Sequence, residues 1–235
     1  MKPLIIANWK CNPATEKEAK ELFEDIKGAI KKTNKAEILI STPFIWLSVV
    51  KGAKKCAQNC FWEEKGPYTG EISPKMLKDV GVDYVIIGHS ERRNYFNETD
   101  EIINKKLKSA LNAGLVPVLC IGEKKGENAK EVIDRQLRED LSGIENCKPG
   151  IENLIIAYEP VWAISTSGGE ICSPERAKEV LRFIKEKFNG KIIYGGSVDS
   201  KIINNYLNVG YEGALVGGAS LKVDEFVNLI KNVGS

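Results

Sequence analysis

The chain has a single histidine, almost no excess of charge of either sign, and no long apolar run. Each shortage removes a class of function. One histidine cannot build a His-rich metal site, and the six cysteines (Cys11, Cys56, Cys60, Cys120, Cys147 and Cys172) do not replace it. Cys56 and Cys60 lie close together, but no second Cys or His pair answers them, so the spacing is not that of a zinc site. Lys and Arg number 34 against 32 Asp and Glu, a net charge of +2, which gives no ground for a nucleic-acid partner. Any preference for an anion must come from local placement. No stretch approaches the length needed to span a bilayer. The opening Met1-Lys2-Pro3-Leu4-Ile5 lacks the apolar region and cleavage site of a signal peptide. The expectation is a cytoplasmic protein with reduced thiols and no membrane partner.

What is present is a chain of 235 residues, 43% hydrophobic and 28% charged, ample for a large core. Its length suits one α/β barrel or two ordinary domains. Short apolar runs occur at 4–7, 38–41, 58–62, 84–87, 116–121, 154–158, 191–194 and 214–216. Several do not alternate, such as Val85-Ile86-Ile87 and Leu154-Ile155-Ile156, which predicts strands buried on both faces of a parallel sheet. Between them lie Lys/Glu-rich amphipathic segments. Ala19, Leu22, Phe23, Ile26 and Ile30 share one helical face within 15–32. Helices are likewise predicted at 97–113, ending at Gly114, and at 127–144, 174–188, 201–207 and 224–233. Ser173-Pro174-Glu175 is a good helix start, with Ser as N-cap and Pro first. The pattern predicts a closed (β/α)8 barrel over residues 1–235, with no linker or low-complexity break. An open doubly wound sheet satisfies the periodicity as well.

The polar residues that stand out fall at the ends of the predicted strands, the face where barrels carry their active sites. Asn8 and Lys10 follow the first strand, and His89 and Glu91 follow the fourth. Glu159 ends the sixth, Gly195-Gly196-Ser197 follows the seventh, and Gly217-Gly218 the eighth. Singly, each has a plain reading: a solvated lysine, a structural histidine, a surface glutamate, glycines in turns. Together they offer a complete chemistry. A carboxylate can abstract a proton beside a carbonyl. A neutral imidazole can donate to the carbonyl oxygen, and a lysine can stabilise the developing negative charge. Backbone N–H groups at glycine pairs can hold phosphate. That set suits an aldose–ketose isomerase acting on a small phosphorylated sugar.

At these residues the chain resembles the triosephosphate isomerase family. The matching stretches are Ala7-Asn8-Trp9-Lys10, Thr69-Gly70-Glu71-Ile72-Ser73, Ile87-Gly88-His89-Ser90-Glu91-Arg92-Arg93, Cys120-Ile121-Gly122-Glu123, Ala157-Tyr158-Glu159-Pro160-Val161-Trp162-Ala163-Ile164, Tyr194-Gly195-Gly196-Ser197-Val198 and Leu215-Val216-Gly217-Gly218-Ala219-Ser220-Leu221. They run in family order along the whole chain. The resemblance implies a TIM barrel that interconverts dihydroxyacetone phosphate and D-glyceraldehyde 3-phosphate through an enediol(ate), in glycolysis and gluconeogenesis. It implies Glu159 as base, His89 as electrophile, Lys10 as charge stabiliser, Asn8 as its substrate-contacting neighbour and Glu91 as the residue ordering Lys10 and His89. It implies phosphate held at Ser165, Ser197, Gly217 and Gly218, a mobile lid from Pro160 to about Ile171, no metal or organic cofactor, and a homodimer or tetramer joined through the segment 61–72. Two departures stand out. The lid reads Ser165-Thr166-Ser167-Gly168 where the family has Gly-Thr-Gly-Lys, and its far end is longer. The segment after Glu123 is shorter. The rival expectations are another phosphate-binding (β/α)8 barrel and a catalytically impaired phosphosugar-binding barrel.

Overall fold

The computed structural model describes residues 2–147, 150–164 and 170–234. Its strands are β1 (Leu4–Asn8), β2 (Glu37–Thr42), β3 (Lys54–Ala57), β4 (Tyr84–Ile87), β5 (Val116–Ile121), β6 (Ile155–Tyr158), β7 (Lys191–Tyr194) and β8 (Gly213–Val216). All pair in parallel, and β8 returns to β1 through Leu4↔Gly213 to close the barrel. This settles the choice left open by periodicity in favour of the (β/α)8 barrel. The helices are α1 (Glu16–Lys32), α2 (Pro74–Asp79), α3 (Ser90–Tyr95), α4 (Asp100–Asn112), α5 (Ala129–Asp140), α6 (Pro174–Lys185), α7 (Ile203–Asn208) and α8 (Val223–Asn232).

Local sequence accounts for most of these bounds. Thr15 caps α1 in a reciprocal box with Glu18, and Ala19, Leu22, Phe23 and Ile26 are its buried face. Ser173 accepts from the N–H of Arg176 and Pro174 opens α6, as predicted. Three expectations are corrected. The third strand is Lys54–Ala57, not 58–62: its paired lysines begin at the barrel floor, where Lys54 reaches Glu37 and Lys55 reaches the carbonyl of Val80. Two lysines mask a strand when they sit at its end and lead their charged heads out to water. The β2–β3 connection carries only a 3-10 turn, Phe44–Trp46, and β4 is followed by two helices, so helices do not alternate one to a strand. Finally, α5 stops at Asp140, before Gly143 turns the chain with φ 72.

The core has two parts. Leu4, Ile6, Leu39, Cys56, Ile86, Val118, Cys120, Ile155, Ala157, Ile193 and Leu215 fill the barrel interior. Their sequence neighbours, such as Ile5, Ile40, Ile87, Leu119, Ile156 and Ile192, face the helices. The period of two then positions the site. Continuing the inward series past the last interior residue reaches Asn8 on β1, Gln58 after β3 and Glu159 after β6. All six cysteines are unpaired, with Cys11 exposed and the rest buried. Among the described residues no helix is long and apolar enough to cross a membrane.

Candidate active site

The inward series ends in a cavity of about 370 Å³ at the C-terminal mouth, lined by Asn8, Lys10, His89, Glu159, Ile164, Gly195–Ser197, Gly217 and Gly218 among others. Residues from the ends of five strands, far apart in sequence, therefore meet in one space. Of the sequence-predicted set, Glu91 stands behind Lys10, and Ser165 lies outside the described residues.

Lys10 is placed by its backbone. It has φ 52, a left-handed conformation that costs a lysine energy and persists only where the surroundings impose it. The Asn8 side chain accepts from the Lys10 N–H at 3.0 Å. Gln58 donates through Nε2 to the Lys10 carbonyl at 2.9 Å, to the Ser41 carbonyl at 3.1 Å and to Asn8 Oδ1 at 3.3 Å. The Lys10 ammonium then reaches Glu91 Oε1 at 2.6 Å. Gln58 was not singled out by the sequence, because the third strand was expected to contain it. With the strand ending at Ala57, an amide at the next inward position becomes the recognisable signal.

His89 is the N-cap of α3, and its Nδ1 lies 3.2 Å from the Glu91 N–H. A backbone N–H can only donate, so Nδ1 accepts and carries no proton. The ring is then neutral, with its hydrogen on Nε2. Nε2 faces Glu159 Oε1 at 3.2 Å, with both side chains buried. Glu159 Oε2 accepts from the Ser90 N–H at 3.0 Å. Below it the Cys120 thiol is pushed well up, by burial first and by the Glu159 carboxylate second, so it stays protonated.

The segment after Glu159 is anchored from beneath. Buried Glu123 accepts from Trp162 Nε1 at 3.0 Å and from the Tyr158 hydroxyl at 3.1 Å, and its carbonyl takes the Val161 N–H. The Ser197 N–H donates to the Ala163 carbonyl at 3.0 Å, and Ser197 Oγ and the Tyr194 hydroxyl are buried without a partner among the described residues. The first turn of the expected lid is thus tied to the site floor. The longer far end includes Glu170, which pairs with Lys125 of the shortened β5–α5 connection.

A buried carboxylate beside a neutral imidazole that presents N–H, with an ammonium close by and glycine turns opposite, defines a barrel enzyme built for proton transfer next to a carbonyl. Comparison makes the class particular. The family model described as triosephosphate isomerase matches residues 3–233. Proteins named triosephosphate isomerase are 47% identical in Dictyoglomus thermophilum, over 97% of this chain and 98% of that protein, and 44% identical in Alkaliphilus oremlandii over the same shares. One from Geotalea uraniireducens is 43% identical over 98% of both chains. The chain belongs to the triosephosphate isomerase family.

Proposed function

We propose that the chain interconverts dihydroxyacetone phosphate and D-glyceraldehyde 3-phosphate, with Glu159 as the base. The observation that carries this reading is the pair His89 Nε2–Glu159 Oε1 at 3.2 Å, with Nδ1 engaged as an acceptor. In the forward direction Glu159 takes a proton from the carbon beside the carbonyl. His89 donates from Nε2 to the oxygen that gains electron density, and Lys10 offsets the charge of the enediolate. Nε2 then recovers a proton from the hydroxyl on the neighbouring carbon, whose oxygen becomes the new carbonyl, while Glu159 returns its proton to the carbon that carried the old one. Both groups end as they began. The route uses only side chains and backbone. While the Ser90 N–H holds Oε2, the carboxylate lies against α3, so substrate must draw it off that donor.

Glu91 sets both partners, because its carboxylate holds the Lys10 ammonium and its N–H fixes the His89 tautomer. Asn8 shapes the Lys10 backbone and borders the same cavity. Phosphate is held by backbone at Gly217, Gly218, Ser197 and Ser165. For Ser197 this requires its N–H to leave the Ala163 carbonyl, which couples phosphate binding to a shift of the turn at Ala163. Residues 1–235 act as one catalytic domain in the cytoplasm, a reading supported by the shared cores and the unpaired thiols.

The same reading makes the protein at least a dimer. Residues 63–70 stand exposed beyond a base closed by the Phe61 N–H on the Ile72 carbonyl. Ile45, Tyr68, Met76, Tyr95 and Phe96 are exposed apolar side chains, and Cys11 is exposed beside Lys10. Sedimentation is expected to give a dimer or tetramer, and a fully active monomer would remove this part.

A coupled assay with glyceraldehyde 3-phosphate tests the activity. Turnover is expected, and Glu159→Asp should lower kcat by about 100-fold with KM little changed, since shortening the chain withdraws the carboxylate by about 1 Å. Near-normal kcat in that variant would refute the assignment.

A further inference from the structure

We propose that Arg93 is a positioning residue for this reaction: its guanidinium clamps the ends of β4 and β5 so that the backbone on either side of Glu159 holds the carboxylate in register with His89. The inference rests on the reading of Glu159 given above.

The clamp is made by one side chain with donors in a fixed fork. Arg93 Nε donates to the Gly88 carbonyl at 2.8 Å, and Nη2 donates to the Cys120 carbonyl at 3.2 Å. Gly88 leads directly into His89 and Ser90, and the Ser90 N–H holds Glu159 Oε2. Cys120 leads through Ile121 to Gly122. The Ile121 carbonyl accepts from the Glu159 N–H at 2.7 Å, and a Cβ on Gly122 would stand 1.8 Å from the Glu159 carbonyl oxygen. Both backbone walls of Glu159 therefore meet at one guanidinium.

The guanidinium is itself fixed. Nη1 donates to Asp100 and Nη2 to Asp140 Oδ2 at 2.7 Å, while Arg135 holds the second oxygen of Asp100. Asp140 is fully buried, and burial pushes its carboxyl up to about 7 even against the pull of Arg93. The space Arg93 enters exists because Gly88 is in the left-handed region with φ +73, and a Cβ there would stand 3.0 Å from Arg93 Nη2. Arg93 also borders a cavity of about 510 Å³ behind Glu159, shared with Gly88, Ser90, Cys120 and Gly122. It does not border the substrate cavity. An effect of Arg93 on turnover must pass through the position of Glu159 and His89, and it should leave the phosphate grip at Ser197, Gly217 and Gly218 alone.

The test uses full-length Arg93→Ala and Arg93→Lys, with kcat and KM for glyceraldehyde 3-phosphate and calorimetric binding of inorganic phosphate. Both variants should lose about 10- to 100-fold in kcat, the scale expected when a catalytic group is misplaced by a fraction of an ångström to 1 Å. KM and phosphate binding should hold. Millimolar guanidinium, admitted through the cavity behind Glu159, should restore part of the lost kcat to Arg93→Ala, and none to Glu159→Asp. Wild-type kcat in either variant overturns the inference. So does a loss that follows the fraction of folded, phosphate-binding protein without guanidinium rescue, or failure of both variants to fold, because each makes Arg93 a residue of stability only. Absence of turnover in the unaltered protein would instead defeat the functional reading on which the inference rests.

Discussion

Two lysine–glutamate pairs of the same length stand at opposite ends of the barrel: Lys10–Glu91 at the C-terminal mouth and Lys54–Glu37 at the N-terminal mouth, each at 2.6 Å. Their settings differ. Lys54 opens a regular strand, and its side chain is 56% exposed against 16% for Lys10. Glu37 also takes the Tyr84 hydroxyl. Burial works against the Glu37 charge, but Lys54 outweighs it and draws the carboxyl below its usual range, while the bond to Glu37 raises the Lys54 ammonium. Each charge at that end is answered by its neighbour, as in a pair that serves local stability. Lys10 is held in a left-handed backbone by Asn8 and Gln58, is partly withdrawn from water, and borders a cavity it shares with His89 and Glu159. Distance does not separate a structural pair from a functional one. Strain and burial imposed on a charge that faces an enclosed space do.

The comparison can be broken from either side. Lys10→Ala should lower kcat/KM by about 10²–10³, the usual scale for removing one preorganised group that stabilises developing negative charge. Lys54→Ala should leave kcat/KM unchanged and shift unfolding stability by no more than about 1 kcal/mol, the range of exposed pairs. If the two variants lost turnover equally, the contrast between the mouths would carry no functional meaning. If Lys54→Ala cost several kcal/mol while Lys10→Ala cost none, the roles assigned to the two ends would be reversed.

The sequence made some of this legible and hid the rest for identifiable reasons. β4 and β5 were readable to the residue because strands covered on both faces are largely apolar, and so was β7, where only the opening Lys191 is charged. β3 was not, since half of its four residues are lysines that reach water at the floor. α2 and α3, six residues each, were not predicted, although α7 is equally short and was read within 201–207, so length alone does not decide legibility. Asn8, Lys10, His89, Glu91 and Glu159 could be named from their types and places at strand ends. The His89 tautomer and the Lys10 backbone could not, because both depend on bonds made only when the barrel closes. Arg93 was hidden differently. It stands beside Arg92, which donates instead to Glu98, a carboxylate that also takes Lys106, whose ammonium donates in turn to Asn59. Successive helical residues point about 100° apart, so two adjacent arginines serve two separate clusters, and no pattern in the letters tells them apart.

The central claim is that Glu159 removes the proton beside the carbonyl. It is tested most directly by incubating dihydroxyacetone phosphate with the protein in D2O and following deuterium at the carbon next to the carbonyl by NMR. The unaltered chain should exchange that hydrogen with solvent during turnover, and Glu159→Gln, which keeps the shape but cannot accept the proton, should abolish the exchange while still binding inorganic phosphate. Exchange at the unaltered rate in Glu159→Gln would contradict the account.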